Sequence, residues 1–196
     1  MFTGIIECTG RVASVSEAGG NRVFWVESPV SGELKVDQSV SHSGVCLTVD
    51  ALEQGRHRVT AVAETLEKTN LGSWQQGSLV NIERCMQMNG RLDGHIVQGH
   101  VDTVAACTDR KEMDGSWSFT FRYPASFAAL VIEKGSVAVN GISLTCFNVT
   151  QDEFTIAVIP YTFGHTNISQ VHAGDKVNIE FDILGKYIQR QLQFSK

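Results

Sequence analysis

Two short stretches of the chain hold residues well suited to chemistry. SHSGVCLTV, residues 41–49, sets Cys46 two positions before Thr48, and VAVNGISLTC, residues 137–146, sets Ser143 two positions before Thr145. Side chains alternate across a strand, so each pair shares one face. Ser43 is read as lying on the same strand as Cys46 and Thr48. Each pair forms a comb of donors and acceptors that suits the edge of a flat heteroaromatic ligand. A thiol, with an unperturbed pKa of about 8.5, also ionises far more readily than an alcohol, and its thiolate is the better nucleophile. A serine in its place serves as a hydrogen-bonding proton relay. Taken alone, either stretch reads more simply as a strand with buried, satisfied hydroxyls. GHIVQGH adds His95 and His100. On one strand rings five positions apart face opposite ways, so a metal site is not expected. Each histidine is first a polar strand residue, and one of them is a candidate proton carrier. The chain has no GxGxxG, Walker or GxSxG sequence, so dinucleotide binding and serine-hydrolase chemistry lack support.

The elements that must position these residues occur twice. Thr48 and Thr145 are 97 apart, as are Ser39 and Ser136, Gly44 and Gly141, Cys46 and Ser143, and Thr65 and Thr162. Thr69-Asn70 returns as Thr166-Asn167, and VNIE at 80–83 returns at 177–180. Near the start the offset is 95, relating Gly4 to Gly99, Glu7 to Asp102 and Pro29 to Pro124. A period this long suits a whole small domain rather than a solenoid unit. NRVFWVES, RHRVTAVA, SWSFTFRY and EFTIAVIP read as strands. Eighteen glycines and three prolines punctuate them, as strands joined by turns require. Short helical pieces are expected at PASFAALVI, with Pro124 at the first helical position, and at TLEKTNLG, with Gly72 as the closing C′ residue. Several short strands per half indicate a small closed or Greek-key barrel. The boundary is set in the polar stretch MNGRLDG, giving units 1–90 and 91–184 and a tail 185–196. In the tail, Tyr187, Ile188, Gln191, Leu192 and Phe194 fall on one helical face. That face either rests on its own barrel or meets copies of itself, and an oligomerisation helix is the preferred reading.

Composition bounds the class. With 42% hydrophobic and 19% charged residues the chain is ordinary globular protein. A net charge of −5 argues against nucleic acid or an anionic membrane as partner, and no apolar run is long enough to cross a bilayer. The N-terminal MFTGIIECTG is not read as a signal peptide. Five scattered cysteines without a CxxC pair are expected to be reduced thiols in a cytoplasmic protein.

MFTGII, GVCLTV, AETLEKTNLG, GHIVQGHVD, VNGISLT and IPYTFGHTN together resemble the riboflavin synthase family of the α-chain type, from Met1 to about Tyr187. The resemblance implies an all-β fold of two similar six-stranded antiparallel Greek-key barrels with a C-terminal helix, assembled as a homotrimer. It implies transfer of a four-carbon unit between two molecules of 6,7-dimethyl-8-ribityllumazine, giving riboflavin and 5-amino-6-(ribitylamino)uracil, with no metal or cofactor. It further implies an active site joining the N-barrel of one subunit to the C-barrel of its neighbour, and lumazine synthase as an associated partner. For substrate binding in the N-half it implies Gly4, Ile5, Ile6, Cys46, Leu47, Thr48, Thr60, Ala61, Val62, Ala63, Glu64 and Thr65. In the C-half it implies Gly99, His100, Val101, Lys134, Ser143, Leu144, Thr145, Ile159, Pro160, Tyr161, Thr162 and Phe163.

The catalytic candidates are Cys46, His100, Lys134, Ser143 and Asp182. Ser143 with His100 is the expected pair for removing a proton from the C7 methyl of one lumazine. Cys46 is expected to meet the electrophilic ring of the other. Lys134 is expected to hold developing negative charge, and Asp182 to position or shuttle a proton. Without the resemblance, Lys134 reads as a solvated turn lysine and Asp182 as a surface carboxylate before the tail. The rival from another class is a non-catalytic lumazine- or flavin-binding protein, which needs the pocket but not the proton-transfer residues. A ligand-free double-barrel module leaves the paired combs unexplained.

Overall fold

The computed structural model describes residues 1–194 and contains two closed six-stranded antiparallel barrels. The first is built from β1 (Cys8–Ala18), β2 (Asn21–Glu27), β3 (Ser39–His42), β4 (Val45–Glu53), β5 (Arg56–Ala61) and β6 (Leu79–Arg84). The second comprises β7 (Thr103–Met113), β8 (Ser116–Arg122), β9 (Ser136–Val139), β10 (Ile142–Phe147), β11 (Glu153–Val158) and β12 (Lys176–Phe181). Around the first ring the order is β1-β2-β5-β4-β3-β6, and the second repeats it as β7-β8-β11-β10-β9-β12. The duplication read from the 97-residue offset is therefore a duplication of fold. Bulges between Val12 and Ser14 and between Cys107 and Asp109 bend the long first strand of each half, which helps a short sheet close on itself.

Alternation fills each barrel. In β4, Val45, Leu47 and Val49 point into the first core beside Phe24, Val59 and Ile82. The second core holds Phe119, Phe121, Phe154 and Phe181. Two positions break this likeness. His57 stands where Phe154 stands in the second half, and His42 where Val139 stands. Their Nε2 atoms are 2.8 Å apart. His57 Nδ1 meets Ser31 Oγ at 2.8 Å, and His42 Nδ1 lies 3.0 Å from the Val40 carbonyl. One proton arrangement satisfies the chain: Ser31 donates to His57, His57 to His42, and His42 to Val40. Both rings are thereby neutral, and burial lowers their pKa values, to about 3 for His42 and about 4 for His57.

The barrels meet on a pseudo-two-fold ladder of asparagines. Asn70 N–H donates to Asn178 Oδ1 at 2.7 Å, and Asn167 N–H donates to Asn81 Oδ1 at 2.7 Å. Asn178 Nδ2 donates to the Ser43 carbonyl, and Asn81 Nδ2 to the Asn140 carbonyl, both at 2.9 Å. On the axis the turns Ser43-Gly44 and Asn140-Gly141 face each other. All four residues have positive φ, as tight two-residue hairpins require. A Cβ on Gly44 would lie 2.7 Å from Gly141 N, so no side chain fits there.

Three local expectations change. Ser43 occupies the β3–β4 turn rather than the strand with Cys46. Helix α1 (Ala63–Lys68) stops before Thr69, and Gly72 lies inside the 3-10 turn Asn70–Ser73 instead of closing the helix. Thr69 caps that turn through its side chain, which accepts from Leu71 N–H. The PASFAALVI piece is a 3-10 helix, Ala125–Leu130, preceded by Pro124 rather than starting on it. Helix α2 (Pro160–His165), the counterpart of α1, does place proline at the first turn. The tail helix α3 runs Ile183–Phe194, and residues 195–196 of the expected tail lie outside the described residues.

Candidate active site

The combs form because β4 and β10 bury alternate residues. Leu47 faces the core, which leaves Cys46 and Thr48 pointing outward; Ser143 and Thr145 share the outward face of β10. Around the second comb lies a cavity of about 490 Å³ lined by Lys134, Ser143, Thr145, Phe147, Ile159 and Thr162, among others. That volume falls in the range of small-molecule sites. By the 97-residue offset the same positions of the first half are Asp37, Cys46, Thr48, Asp50, Val62 and Thr65. The two sites thus share a plan but differ in charge: Lys134 replaces Asp37, and Phe147 replaces Asp50. In the first half Asp50 is occupied locally, bonding Arg58 and Thr60 Oγ1, each at 2.6 Å.

Each site is completed by the other half of the chain. The Gly4 carbonyl accepts from Ser143 N–H at 2.8 Å, and the Gly99 carbonyl accepts from Cys46 N–H at 2.9 Å. Ile6 packs on the core of the second barrel and Val101 on that of the first. The sequence assignment had grouped Gly4, Ile5 and Ile6 with the N-half site and Gly99, His100 and Val101 with the C-half site. The structure reverses this grouping. Both glycines adopt positive φ, and a Cβ on either would come within 2.6 Å of the Ser143 or Cys46 Cβ. Only glycine lets the segment lie flat on the comb.

Ser143 meets a histidine other than the expected one. Ser143 Oγ is 2.7 Å from His95 Nδ1, whereas His100 belongs to the segment covering Cys46. His95 is buried, and its Nε2 has no hydrogen-bond partner among the described residues. Burial lowers the His95 pKa, and the nearby Asp182 charge acts in the opposite direction. Ser143 and His95 are a bonded pair, on which the Asp182 charge acts from nearby. Asp182 also caps the tail helix, accepting from Leu184 N–H at 3.0 Å, so it is more than a surface carboxylate. Lys134 has a left-handed backbone and holds its Nζ 5.8 Å from the Phe147 ring centre, on the cavity wall.

Cys46 is half-buried, and burial pushes its thiol pKa up despite a hydrogen bond to Ser39. It is a neutral thiol near pH 7, which removes the easy ionisation that had singled it out as a nucleophile. Among the other named residues, Ala61 is a core residue, Val62 and Ile159 are exposed beside the helices, and Ala63 to Thr65 belong to α1. Pro160 to Phe163 belong to α2. Phe163 stacks on Trp117 at 3.7 Å, and exposed Tyr161 stacks on His165 at 4.1 Å. Sequence reasoning missed the buried Glu83 and Glu180. Their signal was present: VNIE ends an apolar strand on an acid, twice, at the same offset.

The lumazine binding domain profile matches residues 3–85 and again 98–182. The riboflavin synthase of Bacillus subtilis (strain 168) is 39% identical over 193 residues, covering 98% of this chain and 90% of that protein. The riboflavin synthase of Brucella abortus is 39% identical over 202 residues, covering 100% of both. Among solved structures, LumP complexed with riboflavin superposes with a TM-score of 0.86 at 19% identity, covering 92% of this chain and 99% of that one. LumP complexed with 6,7-dimethyl-8-(1'-D-ribityl) lumazine gives 0.84 at 17% identity, with the same coverage. At such identities the LumP likeness is one of fold; the twice-matched domain and the full-length relatives carry the assignment. The chain belongs to the riboflavin synthase family.

Proposed function

We propose that the chain is a riboflavin synthase, a transferase acting on two molecules of 6,7-dimethyl-8-ribityllumazine. One molecule gives up a four-carbon unit and leaves as 5-amino-6-(ribitylamino)uracil; the other gains it and becomes riboflavin. The two products contain every atom of the two substrates, so no oxidant or reductant enters. The observation that carries this reading is the pair of equivalent combs on one chain, alike in plan and unlike in chemistry. Two copies of one molecule that play opposite parts need such a pair.

In the second barrel, Ser143 Oγ takes a proton from the C7 methyl as its own proton passes to His95 Nδ1. Asp182 supports the imidazolium that forms. Lys134, on the same wall, offsets the negative charge spreading into the pyrimidine ring. The first comb, with Cys46 and Thr48, holds the lumazine that is attacked, and Cys46 acts there as a hydrogen-bonding thiol unless a base ionises it. The units at work are residues 1–90 and 91–184, with 185–196 serving assembly. The chain is inferred to act in the cytoplasm as a homotrimer that pairs the first barrel of one copy with the second barrel of the next, in association with lumazine synthase. Incubating the purified chain with the lumazine and following flavin absorbance tests the activity. One riboflavin formed per two lumazines consumed supports it; tight binding without conversion would make the chain a binding protein instead.

A further inference from the structure

We infer that Glu83 and Glu180 are positioning residues that act crosswise, each clamping the backbone segment that completes the ligand site on the opposite barrel. Glu83 belongs to β6 of the first barrel. Its Oε1 accepts from Thr3 N–H at 2.6 Å and from Thr3 Oγ1 at 2.8 Å, and its Oε2 accepts from Gly4 N–H at 3.0 Å. Gly4 in turn accepts from Ser143 N–H. Glu180 belongs to β12 of the second barrel. Its Oε1 accepts from Gln98 N–H at 2.6 Å, and its Oε2 accepts from Gly99 N–H and His100 N–H, each at 2.8 Å. Gly99 in turn accepts from Cys46 N–H. The two clamps share two N–H donors at the offsets of the duplication and differ in the third, the Thr3 hydroxyl at Glu83 and the His100 N–H at Glu180; the Ile5 N–H, equivalent to that of His100, bonds Thr3 Oγ1 instead.

A carboxylate is a costly group to bury. Glu83 is 4% exposed and Glu180 2%. Burial raises both pKa values, while the N–H bonds at each carboxylate lower them again. A neutral side chain would fill the same space at less cost in desolvation. What the charge adds is three converging charge-assisted bonds on a segment otherwise tied down by the isolated antiparallel bridge between Phe2 and Val97. Each glycine's left-handed turn delivers adjacent N–H groups to one carboxylate, and the following carbonyl is thereby aimed at the comb strand. Glutamine in the same place would oppose its own amide hydrogens to some of those N–H groups. The consequence is directional: loss of Glu180 loosens the cover over Cys46, and loss of Glu83 loosens the cover over Ser143.

Cys46 supplies a ligand-free readout. The full-length chain is treated with iodoacetamide, and alkylation is followed at each cysteine by peptide mass. Glu180→Gln should speed alkylation of Cys46 several-fold, and Glu83→Gln should leave it at the wild-type rate. In a Ser143→Cys background the order should reverse, with Glu83→Gln speeding alkylation at position 143. Buried Cys107 and Cys146 report the fold in the same experiment. Should a glutamine variant expose them, Glu83→Asp and Glu180→Asp, which keep the charge and shorten the reach, are scored by the same criterion. Equal acceleration at both positions by either variant, or none, overturns the crosswise role.

A second arm rests on the proposed function. Riboflavin is titrated onto the full chain, and double-mutant cycles are built with Thr48→Ala and Thr145→Ala. Glu83 should couple to Thr145 and Glu180 to Thr48, with the other two pairs additive. The opposite pattern of coupling also overturns the role. Failure of the wild-type chain to bind riboflavin or lumazine would remove the proposed function, yet the alkylation arm would still decide the clamp.

Discussion

Ser143 Oγ and His95 Nδ1, 2.7 Å apart, are the closest approach of a hydroxyl to a base on either comb. If they act as one proton-removing unit, removing either member should cost about as much as removing both. Ser143→Ala and His95→Gln are each expected to lower kcat by about 10²–10⁴, the span of a positioned general base. The double variant should be no worse than the more damaged single one. His100→Gln should retain more activity than His95→Gln, because His100 meets the segment over the other site; the reverse ranking would return the role to His100. Since burial lowers the His95 pKa, the acid limb of kcat should lie below the ordinary histidine value of about 6.5. Cys46→Ser should keep binding and lose only a small part of the rate, because the thiol is already protonated at neutral pH. A thousandfold loss in that variant would restore the nucleophile. Ser143 stands out in the sequence through the repeat, whereas Lys134 and Asp182 are singled out by the family resemblance alone. The choice between His95 and His100 was not legible there, since it depends on which barrel each end of a crossing segment touches.

At the scale of elements, the strands and combs were readable because period-two burial and a 97-residue repeat are both local signals. The exchange of Gly4 and Gly99 between sites was not, because it follows from a pseudo-two-fold axis that exists only in three dimensions. The His42–His57 pair marks a further difference between halves that look alike in outline. Both histidines have folded pKa values, about 3 and about 4, below the ordinary 6.5. The unfolded chain therefore binds more protons below about pH 6.5, and stability contributed by the neutral pair is lost as pH falls toward 4. The second barrel carries Val139 and Phe154 at these positions and has no such dependence there. Thermal melts at pH 7 and pH 5 should show the melting temperature falling at the lower pH. His42→Val combined with His57→Phe, which copies the second barrel, should reduce that fall. Equal pH sensitivity in the double variant would place the acid-labile groups elsewhere.

For the whole molecule the open question is what covers the tail. Helix α3 carries Leu184, Tyr187, Ile188, Leu192 and Phe194, each more than 60% exposed. Leu184, Ile188 and Leu192 line an apolar cavity with Leu130 and Ile132 at the base of the second barrel, so one side of the helix faces its own barrel without being buried by it. Tyr187 and Phe194 are not part of that lining, and each is 71% exposed. Such a density of exposed apolar side chains is unusual for a lone surface helix. A cyclic assembly would bury it, and would join the first site of one copy to the second site of another. Lys186 ties the start of the helix to the barrel, pairing with Asp102 at 2.7 Å, and a cut after it keeps both partners of that pair in the chain. Sedimentation of the intact chain should give about three times the 21.4 kDa of one copy. Truncation after Lys186 should yield monomers whose two sites still bind riboflavin but whose turnover is lost, because reacting lumazines are no longer held together. An active monomer at dilutions where no assembly is detected would defeat the shared site, and a trimer that survives truncation would move the interface off the tail.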